Sequence, residues 1–251
     1  MGGLLSTSEE ARKVPFEKTK REIFMNLPKL SPRLRRAADF VRQGAYIADV
    51  GTDHAYLPIV LLSEGKICGG VASDINEGPI TRAKENIRAC GMTELLTAKR
   101  CDGLSELEED HPEDILILGM GGELIARILS DAPWTKAPSI RLILQPMTHP
   151  ELLRRFLLSE GYSIVDEVLV EDEKIYQIIC AEFSGMPQRS AYSELELLLG
   201  RETLRRGGPL CAKLLAHWRD VLSVRLAGKQ KAGSDTTEED RLLKQIGEQI
   251  Q

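Results

Sequence analysis

The sequence is poor in features that define several other classes of protein. Aromatic residues make up only 5% of its 251 residues, so aliphatic side chains must supply most of the core. No apolar run is long enough for a transmembrane helix, and the N-terminus lacks the continuous apolar segment of a secretory signal. The five cysteines lie far apart, without a C-x-x-C pair. These absences predict a protein of the reducing cytoplasm with no disulfide framework and no membrane span.

Two kinds of catalytic centre are also missing from the sequence. No cluster of His, Cys and carboxylate residues has the spacing of metal ligands, and no Ser/His nucleophile motif occurs. We therefore expect neither a bound metal nor a covalent mechanism.

The middle of the chain alternates strand and helix signals. Between residues 46 and 161, five apolar strand-like runs alternate with helical segments, which is typical of a parallel sheet with helices on both faces. Two further strand-like runs, 162–170 and 174–183, are too close for a crossover helix, so we expect an antiparallel hairpin at the sheet edge. This arrangement predicts an α/β fold: the seven-stranded, Rossmann-like sheet of class I methyltransferases rather than a nicotinamide dehydrogenase.

The two ends of the chain give different signals. Residues 1–26 have no clean periodicity and are predicted to be an arm, after which a helix begins at Ser31 and ends near Gly44. Beyond residue 188 the signals are only helical, over 193–205, 209–229 and 242–250, and the first two helices are predicted to pair as an antiparallel hairpin. The predicted division is an arm (1–26), a methyltransferase domain (27–188) and a C-terminal helical domain (189–251).

The net charge of −5 conceals a strong asymmetry along the chain. Residues 12–42 hold ten basic and three acidic residues, residues 43–188 hold twelve and twenty-four, and residues 189–231 hold nine and four. One interpretation is that the basic flanks contact a polyanion while the acidic centre holds a cationic ligand. A basic arm and an ordinary basic helix would give the same pattern, so charge alone leaves both open.

The first predicted strand ends in a loop that suits a cationic ligand. Asp49, Gly51 and Asp53 follow one another where an open α/β sheet binds nucleotides. The loop lacks G-x-G-x-x-G, and its two carboxylates would repel a pyrophosphate. S-adenosylmethionine has no phosphate and carries a sulfonium and an ammonium, so it fits this loop better. Turn-forming and capping carboxylates are the alternative interpretation.

Two more acidic residues follow the next two strands. Asp74 lies at a position where a carboxylate can bind both ribose hydroxyls, although helix capping is the alternative. Asp102 precedes a glycine after the third strand, where a side-chain acceptor can bind the exocyclic amine of adenine. The predicted cofactor-binding residues are Asp49, Gly51, Thr52, Asp53, Asp74, Ile75, Asn76, Asp102, Gly103 and Gly119.

A glycine-rich turn ends the fourth strand and is expected to face the methyl donor. Glycines there leave an open floor for a flat base, while a tight strand-to-helix turn would need them equally. His54 and Tyr56 lie on the first loop, where either can contact the acceptor or serve the fold. The predicted catalytic residues are His54, Tyr56, Met120, Gly121 and Gly122.

Five segments together resemble the bacterial TrmK family, whose members methylate N1 of adenine 22 in tRNA. The segments are residues 49–58 (DVGTDHAYLP), 73–79, 102–104, 119–122 and 142–146, within a resemblance that runs from about residue 30 to 181. The resemblance implies a class I methyltransferase domain, a helical coiled-coil-like domain, and S-adenosylmethionine as donor. It also implies that Asp49, Gly51 and Asp53 form the donor loop, with Asp74 at the ribose and Asp102 at the adenine.

This reaction makes modest chemical demands. Adenine N1 has an in-plane lone pair, so the enzyme must mainly align it with the methyl group, and we expect no obligatory general base. N1 lies on the Watson–Crick edge, so the base must be unpaired or flipped. The resemblance implies that basic residues of the two flanks hold tRNA phosphates. They are Lys29, Arg33, Arg35, Arg36, Arg201, Arg205, Arg206, Lys213, Arg219 and Arg225.

Other functions remain open from the sequence. A class I methyltransferase that acts on a protein or a small molecule would share the donor loop but not the need for convergent basic surfaces. A non-catalytic RNA-binding protein of the same fold would bind the donor poorly. The sequence does not specify the oligomeric state.

Overall fold

The computed structural model describes residues 27–188 and 192–250, so the predicted N-terminal arm lies outside the described residues. Within them, apolar, β-branched runs form a seven-stranded sheet with the strand order β3-β2-β1-β4-β5-β7-β6. The strands are β1 Ala45–Val50, β2 Ile67–Asp74, β3 Leu96–Arg100, β4 Asp114–Met120, β5 Arg141–Pro146, β6 Tyr162–Glu171 and β7 Ile175–Phe183.

Strands β1 to β5 are parallel, whereas β6 and β7 form an antiparallel hairpin on the β5 edge. β7 inserts between β5 and β6, so the last strand of the chain pairs with the parallel part of the sheet. The predicted fold class, with its edge hairpin, is therefore confirmed.

Nine α-helices pack on this sheet or follow it in the described part of the chain, in addition to two 3-10 helices, Glu108–Asp110 and Pro133–Lys136. The α-helices are α1 Pro32–Ala38, α2 Tyr56–Ser63, α3 Glu77–Ala89, α4 Gly122–Ser130, α5 Pro150–Ser159, α6 Glu194–Leu199, α7 Arg201–Arg206, α8 Pro209–Ala232 and α9 Thr237–Ile250. None of the described helices is long and apolar enough to cross a membrane.

The first helix is shorter than predicted. Ser31 caps it as expected, because its Oγ accepts the Leu34 N–H at 3.4 Å, but α1 ends at Ala38 rather than near Gly44. The backbone N–H of Arg42 donates to the Asp114 carboxylate at 2.7 Å, and the Arg42 side chain binds the same carboxylate. This anchor at the start of β4 takes the place of the next helical turn.

Two predictions for the C-terminal helices are wrong. The segment predicted as one helix over 193–205 is broken at Gly200, where φ is +91° and an added Cβ would lie 2.6 Å from Glu167 Oε2. The antiparallel pair is formed by α8 and α9 instead of by the first two predicted helices. α9 also begins at Thr237, five residues earlier than predicted.

Three apolar clusters account for the core. Two cover the opposite faces of the sheet, and both contain side chains of β1, β2, β4 and β5. The third consists of leucines from α6, α8 and α9 together with Cys211 and Ile246, and it packs against Leu169 and Ile175 of the edge hairpin. The hairpin thus carries the C-terminal helices, which places them beside the end of β5.

Candidate active site

The carboxyl ends of β1 to β5 meet at one edge of the sheet. β1 and β4 are neighbours in the sheet. After β1 the chain continues to β2 on one side, and after β4 it continues to β5 on the other side, so the strand order reverses between β1 and β4. Ligands of open α/β sheets bind in the crevice at such a switch point. The site is therefore built from the loops that follow these strands.

Gly51 brings the first loop against the end of β4. Its φ is +79°, and an added Cβ would lie 2.1 Å from Met120 Cε. The amides of Gly51 and Thr52 both donate to the Ser73 carbonyl, at 2.8 and 2.9 Å. Thr52 is buried, and its Oγ1 accepts the Ala55 N–H at 3.0 Å. Thr52 thus sets the shape of the loop rather than offering its hydroxyl to a ligand.

Asp49 is the most perturbed acid of the site. Its side chain is buried at the end of β1, and this burial raises the pKa of its carboxyl from 3.8 to about 6, with a hydrogen bond from Thr52 opposing the rise. No ion pair of the described residues includes Asp49. A buried carboxylate without a cationic partner is costly, and a ligand ammonium would relieve that cost. This donor set fits S-adenosylmethionine.

Asp53 is arranged differently from the sequence prediction. Its side chain is 63% exposed and ion-paired with Arg82, and it also contacts His54 Nε2 at 3.0 Å. The Arg82 guanidinium lowers the pKa of the Asp53 carboxyl. Its charge is therefore already compensated on the protein. The His54 ring stacks on Tyr56 with centroids 4.8 Å apart, which gives the loop a flat aromatic face.

The predicted ribose and adenine residues lie along the same edge. Asp74 is half-buried, and its Oδ1 accepts the Asn76 N–H at 2.7 Å, which orients the carboxylate. Asn76 precedes α3 without a side-chain capping bond. Ile75 is 52% exposed, and Asp102 is exposed after β3. These side chains leave an apolar surface next to two carboxylates, which suits an adenosine.

The turn after β4 divides into an open part and a packed part. Gly119 is exposed, with φ +82°, and an added Cβ at Gly121 would lie 3.1 Å from the Thr148 hydroxyl. Gly122 is buried: its N–H donates to the Thr148 carbonyl at 2.8 Å, and an added Cβ would lie 2.3 Å from the His149 carbonyl. Gly122 was predicted to face the donor. In the structure it packs against the loop after β5, and this close contact accounts for a glycine at the position. Gly103 likewise packs closely, on Ile128.

Arg33 and Gln145 form a polar pair that the sequence analysis missed. Arg33 Nη1 donates to Gln145 Oε1 at 2.7 Å, and an added Cβ at Gly119 would lie 3.5 Å from that nitrogen. Arg33, which was predicted to contact a tRNA phosphate, lies beside the turn after β4. Gln145 is fully buried. A polar residue at the end of an apolar strand, just before a proline, is the signal that could have indicated it.

Most cations predicted to bind tRNA have carboxylate partners. Seven form ion pairs at the surface: Arg35, Arg36, Arg201, Arg205, Arg206, Lys213 and Arg219. Exposed pairs of this kind contribute little to stability and can exchange for phosphate. Lys29 is exposed. Arg36 and Arg206, one from each basic flank, line the same cavity.

Comparison with known proteins establishes the family. Residues 30–179 match the methyltransferase domain family. A curated Bacillus subtilis relative, described as a tRNA (adenine(22)-N(1))-methyltransferase, is 32% identical over 235 residues, or 90% of this chain and 96% of the relative. The chain belongs to this methyltransferase family. The resemblance found in the sequence is thereby confirmed.

Solved structures of similar chains give the same result. The Bacillus subtilis m1A22 tRNA methyltransferase TrmK has a TM-score of 0.76 and 30% identity, covering 88% of this chain and 96% of its own. A Streptococcus pneumoniae protein solved with S-adenosyl-L-methionine has a TM-score of 0.77 and 33% identity, covering 87% of this chain and 99% of its own. M. capricolum TrmK, solved with S-adenosyl-homocysteine, has a TM-score of 0.71 and 26% identity, covering 88% of this chain and 96% of its own.

Proposed function

We propose that this chain transfers a methyl group from S-adenosylmethionine to N1 of adenine 22 in tRNA, in the cytoplasm. The observation that carries the proposal is the buried, unpaired Asp49 carboxylate beside the contact between Gly51 and Met120. A carboxylate in that state needs a cationic ligand, and the switch point of the sheet is where the ligand must lie. The family relationship supports the tRNA substrate.

Different residues of the chain bind different parts of the donor. Asp49 holds the ammonium group, and the backbone of Gly51 allows close approach of the ligand. Asp74, oriented by the Asn76 amide, accepts the ribose hydroxyls, and Asp102 accepts the adenine amine. Ile75 covers the apolar face of the base. When bound, S-adenosylmethionine supplies the electrophilic methyl group.

The remaining residues present the acceptor base. Adenine N1 is nucleophilic without deprotonation, so the protein must exclude water and hold the base in line. The stacked pair of His54 and Tyr56 offers a flat surface for a flipped adenine. Gln145, held by Arg33, fixes the opposite wall. Carboxylates and carbonyl dipoles at this edge favour the positive charge that develops on the adenine ring.

Labelled methyl transfer tests the acceptor class. Three acceptors are compared: an unmodified tRNA transcript, the same transcript with guanine at position 22, and a nuclease-treated cell extract of proteins and small molecules. The proposal expects label only in the first. Label in the extract alone would support a protein or small-molecule methyltransferase instead. Binding of tRNA without donor binding in a titration, and without transfer to any acceptor, would support a non-catalytic RNA-binding protein.

A further inference from the structure

A cavity of about 410 Å³ lies between the methyltransferase sheet and the C-terminal helices. One wall is the loop after β5, from Pro146 to Pro150, and the facing wall comes from α8 and α9. The start of β7 forms the floor, where Tyr176 lies. Its volume is within the range of pockets that bind small ligands or single nucleotides.

Cations in this cleft lie over aromatic rings instead of pairing with carboxylates. Lys174 Nζ is 5.4 Å from the centroid of the Tyr176 ring, and the Arg225 guanidinium is 5.8 Å from that of Trp218. In the described part of the chain, neither cation forms a salt bridge. This contrasts with the seven ion-paired cations of the other surfaces.

The acidic residues that line the cleft form no salt bridge with these two cations in the described part of the chain. Four glutamates contribute to the lining, and three of them are held by other basic groups. Glu151 contacts His149 at 3.1 Å, Glu194 pairs with Arg155 at 2.7 Å, and Glu239 pairs with Lys229 at 2.8 Å. The Lys229 hydrogen bond and the charges of Lys229 and Arg225 lower the pKa of the Glu239 carboxyl, so Arg225 feels this carboxylate without forming a salt bridge to it. Both cations can therefore still pair with an anionic ligand.

The cleft adjoins the end of β5 and the turn after β4. The Arg33 guanidinium, which binds Gln145 at the methyl-transfer edge, lies 5.4 Å from the centroid of the same Tyr176 ring that Lys174 covers. The backbone N–H of Met147, in the cleft wall, donates to the Met120 carbonyl at 2.7 Å. A strand whose base enters the active site would thus pass directly into this cleft.

We propose that this cleft binds a single-stranded stretch of RNA next to the target adenine. A neighbouring base stacks on Trp218, while Lys174 and Arg225 hold the flanking phosphates. Tyr176 is buried and Trp218 is partly exposed, so Trp218 is the ring that a base can reach. Cations beside an accessible aromatic ring are the combination that binds single-stranded nucleic acid. Flipping adenine 22 out of a folded tRNA also requires that its neighbours be held unstacked. The inference rests on the proposed function and assigns its RNA-binding surface.

Three substitutions test the proposal. Lys174→Gln and Arg225→Gln remove the charges, and Trp218→Leu removes the stacking surface while keeping an apolar side chain against the helical core. Trp218→Phe is the conservative variant that should restore stacking. Arg88→Gln is the matched control, because Arg88 is an exposed arginine on α3, outside the cleft and without an ion-pair partner in the described residues. Dissociation constants for tRNA and donor are measured at several salt concentrations, with KM and kcat.

The expected result is a selective loss of RNA affinity. Trp218→Leu raises the tRNA dissociation constant about fivefold or more, and Trp218→Phe recovers most of it. Each charge removal lowers the salt slope by about 0.7. Donor affinity stays unchanged, KM for tRNA rises more than kcat falls, and Arg88→Gln behaves as the wild type.

Cross-linking supplies an independent readout. A tRNA carrying 4-thiouridine beside position 22 is expected to cross-link to the peptides that contain Trp218 or Lys174. The cleft proposal is overturned if the wild type methylates adenine 22 but the cleft variants match Arg88→Gln, or if the cross-link maps to another surface. Failure of the wild type to methylate tRNA would instead overturn the proposed function.

Discussion

Arg154 and Glu167 form an ion pair that is almost completely removed from solvent, with Nε and Oε1 2.5 Å apart. Arg154 also donates to the Leu197 carbonyl at 2.9 Å and to Gln177 Oε1 at 2.8 Å. These bonds join α5, β6, β7 and α6 at one point. The pair therefore couples the sheet to the helices that form one wall of the cleft.

Loss of one partner from this pair should destabilise the protein strongly. Glu167→Gln leaves a buried guanidinium without its counter-charge, and we expect a loss of about 3–5 kcal/mol in the free energy of unfolding. Glu64→Gln removes the exposed partner of Arg35 and should cost no more than about 1 kcal/mol. Urea unfolding measures the free energy of both variants. Equal losses would show that the buried pair contributes no more to stability than an exposed one.

The order of the elements could be predicted from the sequence, and so could the sheet edge at which the proposed donor residues lie. Apolar runs ending in Asp49, Asp74 and Asp102 indicate both the strands and the edge where they meet. The sequence could not show the positions of Arg33 and Arg154, because a basic residue on a helix normally lies at the surface. The position of Arg33 and the burial of Arg154 depend on partners distant in the chain, Gln145 and Glu167, which only the folded sheet brings close to them.

The break at Gly200 has a similar origin. Helical periodicity continues through this residue, so the sequence favours one helix over 193–205. The structure places the Glu167 carboxylate where a side chain at position 200 would lie. Gly200 is thus both a local helix-stop residue and the residue that the contact with Glu167 of β6 requires.

Asp49→Asn should affect stability and donor binding in opposite directions. The rise of the Asp49 pKa from 3.8 to about 6 means that its ionised form costs the ligand-free protein roughly 3 kcal/mol at neutral pH. The neutral amide avoids this cost, so the unfolding free energy should increase while donor affinity falls by more than tenfold. Thermal unfolding and donor titration test this pair of effects, and a simultaneous loss of stability would contradict it.

The same carboxyl should give both properties a defined pH dependence. Because its folded pKa is raised above 3.8, the stability difference between Asp49→Asn and the wild type is largest above pH 6 and disappears as the pH falls towards 3.8. Donor affinity of the wild type should weaken as the pH falls through about 6, since protonation removes the counter-charge. Titrations between pH 5 and pH 8 are sufficient, and a flat profile would exclude Asp49 as the ammonium partner.

Gly51→Ala should impair donor binding through the loop. The new methyl group would be strained at a φ of +79° and would meet Met120 Cε at 2.1 Å. Because a methionine side chain can move, Gly51→Ala combined with Met120→Ala should recover the steric part of the loss but not the backbone strain. Donor titration of the single and double variants separates the two. An unchanged affinity in Gly51→Ala would show that the loop does not approach the donor.

The most direct test of the account identifies the methylated atom itself. Wild-type protein is incubated with S-adenosylmethionine and an unmodified tRNA transcript, and the product is digested to nucleosides for mass spectrometry, with oligonucleotide mapping of the position. The proposed function predicts N1-methyladenosine at position 22, and no N1-methyladenosine in a transcript that carries guanine there. Methylation of another atom, or of an adenine elsewhere in the tRNA, would contradict it.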